Sequence, residues 1–323
     1  MSRPPQQPAS QVRFVTVSEN DAGQRIDNFL MRHFKGVPKS HIYRILRKGE
    51  VRVNKKRIKQ TYKLVIGDEV RLPPVRIAEP RDRRPPDGAI SSLAERIVYD
   101  DDRLIVLNKP AGLAVHAGSG IDFGVIDIMQ RLEKQDSELY LVHRLDRDTS
   151  GCLLLARDRD ALRSLQASMQ ENRIEKVYLA LVRGQWEQQD HRVEMTLRRN
   201  KIRGGERLVQ IDADGKQSVS EFRTMRQYTS APDAGGCSLM KIRLITGRTH
   251  QIRVQASESG HPVAGDRRYG DEQFNRKMKA YGLKRMFLHA ASLSFPHPDN
   301  DKEFTIEPPL DDELQQVLDN LNR

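Results

Sequence analysis

Five prolines, at positions 73, 74, 80, 85 and 86, punctuate the stretch from Pro73 to Gly88 of this 323-residue chain. Proline carries no backbone N–H and locks φ, so neither a strand ladder nor a helix runs easily through such a stretch. Whatever lies on each side must bury its own core, and the length leaves room for two such bodies. The expected organisation is a small body over 12–75, a Pro-rich linker over 76–94 and a larger body over 95–323.

The two bodies differ in charge. The whole chain carries a formal +11. Between Lys39 and Lys63 stand ten Lys or Arg against one acid, Glu50, so a short window of net +9 accounts for most of the excess. Charge so concentrated suits a polyanionic partner, nucleic acid above all. A solvated basic face is the plainer alternative. Just ahead of this window, Ile26, Phe29, Leu30 and Phe34 recur at helical spacing,. Pro38-Lys39-Ser40 then breaks the chain, Ser40 is positioned to cap a second helix with Ile42, Ile45 and Leu46 inward, and Gly49 ends it,. Val51-Arg52-Val53 and Val70-Arg71-Leu72 read as short strands around turns at Asn54-Lys55 and Gly67-Asp68,. Two small helices followed by short strands, with Ile45-Leu46-Arg47-Lys48-Gly49-Glu50-Val51-Arg52-Val53-Asn54 at their junction, resemble an S4 RNA-binding domain. The RNA-contacting candidates are Lys39, Arg44, Arg47, Lys48, Arg52, Lys55, Lys56 and Arg57.

In the larger body, strand-like runs outnumber helices and come in neighbouring groups: 96–99, 104–107, 177–182, 219–225, 238–245 and 287–295. A helix over 161–172, capped by Asp158 or Asp160, turns Leu162, Leu165 and Met169 inward, and a last helix over 311–322 carries Leu314, Val317, Leu318 and Leu321,. The class is α+β, with a mainly antiparallel mixed sheet after a small N-terminal α/β domain. Two cysteines, Cys152 and Cys237, make no disulfide framework or thiolate zinc site and point to a reducing compartment,. Residues 1–11 do not read as a signal peptide, and no apolar run is long enough to span a bilayer, so a cytoplasmic protein without membrane contact is expected,. The histidines at 116, 143, 250, 261 and 289 lack metal-ligand spacing, and no metal is assigned,.

His143-Arg144-Leu145-Asp146-Arg147-Asp148-Thr149-Ser150-Gly151 places a carboxylate among cations on a turn leading into the apolar run Leu153-Leu154-Leu155-Ala156. Neighbouring positive charge keeps such an Asp ionised. Taken alone, the segment is equally a polar turn whose Asp and Ser cap backbone groups. Its company is more telling: Asn108-Lys109-Pro110-Ala111-Gly112 before it, then Lys176-Val177-Tyr178-Leu179-Ala180. Thr246-Gly247-Arg248-Thr249-His250-Gln251-Ile252-Arg253 follows, a strand-to-helix junction with Thr249 as the expected cap. Gly260-His261-Pro262-Val263-Ala264-Gly265-Asp266 and Leu288-His289-Ala290 come last, as polar turns.

In this order the segments resemble the RluA-type family of pseudouridine synthases, over nearly the whole chain and S4 domain included. The resemblance implies the pseudouridine synthase fold and the isomerisation of uridine in RNA, here large-subunit (23S) ribosomal RNA, without a cofactor; a monomer suffices. It also implies residue roles. Asp146 is the catalytic carboxylate, whether it attacks covalently or takes a ribose proton. Arg253 pairs with Asp146 through bidentate hydrogen bonds. Tyr178 stacks on the target base, and Arg144 fills the space left by the flipped uridine. Arg248, His250 and Gln251, with Thr249, are phosphate-binding candidates or plain capping residues. Gln255 departs from the family pattern, which often has His there, and is expected to alter a supporting hydrogen bond. Three other readings stay in view. One is an S4 protein with a non-catalytic partner domain. Another is an Asp-x-Asp phosphatase at Asp146-Arg147-Asp148, for which Ser150 stands where Thr or Val is expected. The third is a glycosidase, for which nothing singles out a second carboxylate.

Overall fold

The computed structural model describes residues 12–19, 21–34, 37, 39–75, 85–117, 122–133, 138–186, 189–201, 207–229 and 235–322. The chain divides into two compact units, 1–84 and 85–323.

In the first unit, β1 (Arg13–Thr16) precedes α1 (Ile26–His33) and α2 (Lys39–Lys48), followed by β2 (Arg52–Val53) and β3 (Glu69–Leu72). The three strands form an antiparallel sheet in the order β1-β3-β2. Ile26, Phe29, Leu30 and Phe34 meet Ile42, Ile45 and Leu46 in one core with Val51, Val53, Val70 and Leu72. Each such side chain contributes about 1.5–3 kcal/mol when fully buried. The second helix starts two residues earlier than expected, at Lys39, so Ser40 lies inside it rather than ahead of it. β1 had no clear signal in the sequence, because three of its four residues are exposed and no alternation shows. Asn54 and Lys55 both adopt positive φ, as a tight hairpin turn between right-twisted strands requires,.

The second unit begins with α3 (Asp87–Ala94), which corrects the linker boundary. Pro85 and Pro86 stiffen only the approach; a proline is tolerated at a helix start because no intrahelical donor is needed there, and Leu93 then packs into the main core,. Residues 76–84 lie outside the described part. Next come β4 (Ile97–Asp100), β5 (Leu104–Lys109), α4 (Val125–Met129), β6 (Tyr140–Leu141), β7 (Ser150–Ala156) and α5 (Arg159–Gln170). β8 (Glu175–Arg183), β9 (Asp190–Lys201), β10 (Arg207–Ile211), β11 (Lys216–Tyr228) and β12 (Cys237–Leu244) form the middle of the chain. α6 (Gln251–Glu258), α7 (Glu272–Met278), β13 (Leu288–Pro296), β14 (Glu303–Ile306) and α8 (Asp312–Leu321) complete it. The 11-stranded sheet runs β10-β9-β11-β12-β8-β13-β7-β5-β4, with β14 beside β13 and β6 beside β7. Its strand pairs are antiparallel except β13 with β7. Asp158 caps α5, accepting from the backbone N–H of Asp160 and Ala161. No helix among the described residues is long and apolar enough to cross a membrane.

The lone parallel pair sits at the centre and depends on one glycine. Gly151 lies opposite Ala290 at φ +105°, and a Cβ there would stand 2.2 Å from the Ala290 carbonyl oxygen. Gly151→Ala should therefore push β13 away from β7 and destabilise the protein by about 3 kcal/mol, the upper range for overpacking plus a strained backbone. Urea unfolding of the variant checks this; an unchanged midpoint contradicts it.

Candidate active site

Asp146 stands on the connection from β6 to β7, and that connection is tied down from several sides. The His143 imidazole accepts the Leu154 backbone N–H through Nε2 (3.2 Å), so a side chain takes the place of a neighbouring strand. Burial pushes this imidazole down to about 3, which keeps it neutral and able to accept,. The fully buried Lys109 Nζ donates to the carbonyls of Pro110, Leu113 and Arg147 at 2.8, 2.8 and 3.0 Å. The Gly112 N–H also donates to the Arg147 carbonyl (2.8 Å), and Thr149 N–H to that of Asp146 (3.2 Å). The segment is thus a rigid shelf, with buried Leu145 and Thr149 beneath it and Arg144 exposed.

Opposite the shelf lies the start of α6. His250 precedes it at φ +54°, a left-handed conformation that costs a non-glycine residue roughly 1–2 kcal/mol,. His250, not Thr249, is the cap position, and no side chain there caps the helix. The junction is held by Gln251 instead. Its Oε1 accepts from Arg248 N–H and Thr246 Oγ1, while its Nε2 donates to the Val219 carbonyl and Ser220 Oγ. Gln251 is only 2% exposed and its amide is fully engaged, so it is a structural residue and not the RNA contact expected from its position. Arg248 is exposed. Gln255 is buried in the same way, its Oε1 accepting from Ser220 Oγ (2.6 Å) and its Nε2 donating to the Val193 carbonyl (3.1 Å), which docks α6 on the sheet.

Arg253, one turn into α6, reaches both carboxylates of the site. Its Nη1 approaches Asp146 Oδ2 at 3.4 Å. The bidentate pair goes elsewhere: Nε and Nη2 donate to Asp266 Oδ2 and Oδ1 at 2.7 and 2.8 Å. The expected two-pronged bond to Asp146 is thereby corrected, because the fork is already closed on a carboxylate that is itself buried. Burial opposes both charges of this pair, yet their hydrogen bonds and mutual attraction outweigh it, raising Arg253 above the usual guanidinium value and lowering Asp266. The ring of Tyr269 lies 5.1 Å from the guanidinium carbon.

Tyr269 also governs His250. The Tyr269 hydroxyl accepts the Val209 N–H (3.0 Å) and lies 2.8 Å from His250 Nδ1. The far side of the same ring, His250 Nε2, stands 3.7 Å from Asp146 Oδ2. Burial lowers the His250 pKa, with Arg253 and Arg268 acting in the same direction, and the neutral ring results. Asp146 Oδ2 therefore faces Arg253 and His250, while Oδ1 has no protein donor among the described residues.

These side chains line a cavity of about 890 Å³ with Tyr178, Arg144, Lys176 and Leu288. Tyr178 comes from β8 and pairs with Ala290 of β13 and Ile242 of β12, so three strands hold it. Burial, and the nearby charge of Asp146, push its phenol well above the ordinary value, so it is uncharged at neutral pH. The geometry brings Asp146, Tyr178, Arg253, Arg144, Arg248 and His250 to one cavity. In the first unit Arg44, Arg47, Lys48, Arg52, Lys55, Lys56 and Arg57 are exposed; the side chain of Lys39 lies outside the described part. Among the described residues no three His, Cys, Asp or Glu side chains converge as a metal site.

Sequence reasoning placed Asp266 in a polar turn without a role of its own and passed over Tyr269. Their signal was the turn Gly265-Asp266-Arg267-Arg268-Tyr269, in which Gly265 adopts φ +74° and leaves 2.1 Å between a Cβ and the Arg285 carbonyl oxygen.

Residues 103–258 match the RNA pseudouridylate synthase family model and residues 24–70 the S4 domain model. The chain belongs to the RNA pseudouridylate synthase family. It is 51% identical to the ribosomal large subunit pseudouridine synthase C of Escherichia coli O157:H7, across 96% of this chain and 97% of that one. Identity to the synthase C of Haemophilus influenzae is 48%, across 97% and 96%. In structure it is similar to human RNA pseudouridylate synthase domain containing 4 (TM-score 0.59, 23% identity, 73% of this chain and 96% of that one). Human domain containing 1 gives 0.56 and 25%, across 74% and 98%.

Proposed function

We propose that the protein isomerises uridine to pseudouridine in large-subunit ribosomal RNA, with Asp146 as the reacting carboxylate. The observation carrying this reading is Asp146 itself, held by Arg253 at 3.4 Å and opening onto the cavity that Tyr178 lines. In the reaction the N1–C1′ bond breaks, the uracil turns and C5 bonds to C1′; the C5 proton leaves and N1 regains one. No electrons enter or leave, so carboxylate chemistry suffices. Asp146 Oδ1 acts on the ribose, while Arg253 holds Oδ2 and the His250 ring stands beside it. Tyr178 stacks on the uracil, and as a neutral phenol it donates or relays a proton rather than acting as a phenolate base. Arg144 enters the stack left by the flipped nucleotide. Arg248 meets a neighbouring phosphate, and a single chain supplies every group. The substrate places the work in the cytoplasm.

The test is tritium release to water from large-subunit RNA labelled at uridine C5. Release by the wild-type protein is expected; none on large-subunit RNA, free or in assembling subunits, refutes the reading. The basic first unit gives a separate expectation. Replacing Lys55, Lys56 and Arg57 together with Ala should flatten the dependence of log affinity on log salt by about 2–3, roughly 0.7–0.9 per phosphate contact. Affinity titrations across ionic strength measure it, and an unaltered slope removes these three from the RNA contact.

A further inference from the structure

A second cavity, of about 800 Å³, also borders Asp146. It shares Arg144, Asp146, His250 and Arg253 with the first, so both open onto the same carboxylate. The linings differ in kind. The first cavity contains Tyr178, whereas the second has no Phe, Tyr or Trp and takes Arg147, Arg267, Arg268 and Lys284 instead. All four are exposed. Its acids are largely occupied: Asp266 with Arg253 and Asp148 with Arg147 (3.0 Å). Arg285 is tied to Asp311 and Glu313. Arg267 and Lys284 form no ion pair among the described residues. Bases bind where an aromatic face receives them, and phosphates where exposed cations converge without one.

We propose that this second cavity is a binding site for RNA phosphates, one that receives the backbone flanking the target uridine through Arg267 and Lys284. The assignment rests on the first cavity being the uridine site. A strand whose uridine enters beside Tyr178 must continue past Asp146, and the second cavity is the cationic exit. Arg267 follows Asp266 directly, so this half of the phosphate site is built on the turn that fixes Arg253.

Two full-length variants test this by affinity, a readout independent of turnover: Arg267→Ala with Lys284→Ala, and a control with the same charge loss, Lys216→Ala with Lys302→Ala, both exposed and outside either cavity. The probe is a fluorescein-labelled, single-stranded RNA containing uridine, followed by anisotropy across ionic strength. The cavity variant should bind roughly tenfold more weakly and lose about 1–1.5 from the salt slope, near 0.7 for each of two contacts, while the control changes little. In turnover the loss should fall on KM, not kcat. Equal losses in both variants, or an unchanged slope in the cavity variant, overturn the proposal. So does a fall in kcat with unaltered affinity, which would move these residues into the reaction itself. Absence of turnover in the wild type would fail the uridine reading and leave the affinity result standing by itself.

Discussion

Asp146→Asn should reduce pseudouridine formation by at least about 10⁴-fold while RNA binding stays equal or tightens. Asparagine keeps the size of the side chain and can still accept from Arg253, so the shelf and cavity persist. What disappears is the anionic oxygen, Oδ1, that faces the cavity while Oδ2 is held at 3.4 Å by Arg253. A group that makes or breaks the reacting bond cannot be replaced by its neighbours, and losses on this scale, above 5 kcal/mol of barrier, follow its removal. Affinity moves the other way because one negative charge among cations that meet phosphates is gone. Single-turnover tritium release and anisotropy on the same RNA measure both halves. Turnover within tenfold of wild type would take the reaction away from Asp146.

Asp266→Asn should lower kcat by about 10²-fold with little change in KM. Asp266 is 1% exposed and accepts two bonds from Arg253 as well as the backbone N–H of Arg268 and Tyr269. Asn can satisfy only part of that set, and the guanidinium is then free to turn. Misplacing a catalytic contact by an ångström is enough for such a loss. The same substitution should cost stability in a pH-dependent way. The folded-state pKa of Asp266 lies below the ordinary 3.8, so its contribution is fully present above about pH 4 and fades as pH falls through the depressed value,. Wild type and variant should therefore differ most near neutrality and converge in acid. Urea midpoints at several pH values check the sign. A gap that widens in acid would contradict the ion pair, and an unchanged kcat would make Asp266 merely structural.

Much of this protein was legible before folding. The apolar spacing of Ile26, Phe29 and Leu30 marked α1, and the run Leu153-Leu154-Leu155-Ala156 marked β7, because buried faces leave a period in the chain,. Asp146, Tyr178 and Arg253 stood out through the ordered segments that carry them. The linker boundary was misplaced because a proline pair reads alike before a loop and before a helix, and only the packing of Leu93 separates the two.

The sequence by itself determined the class of protein and the basic N-terminal unit and singled out the three residues on which the proposed reaction rests, since each depends on residue type and local order. Only the tertiary structure decided how those residues are wired. Arg253 grips Asp266 with its fork and Asp146 with one nitrogen, Tyr269 anchors the His250 ring, and Gln251 is spent inside the fold. Asp146 and Arg253 are 107 positions apart, and a guanidinium has five donors,. Which carboxylates they meet depends on how β7, β13 and α6 pack, and no local pattern in the chain encodes that distance.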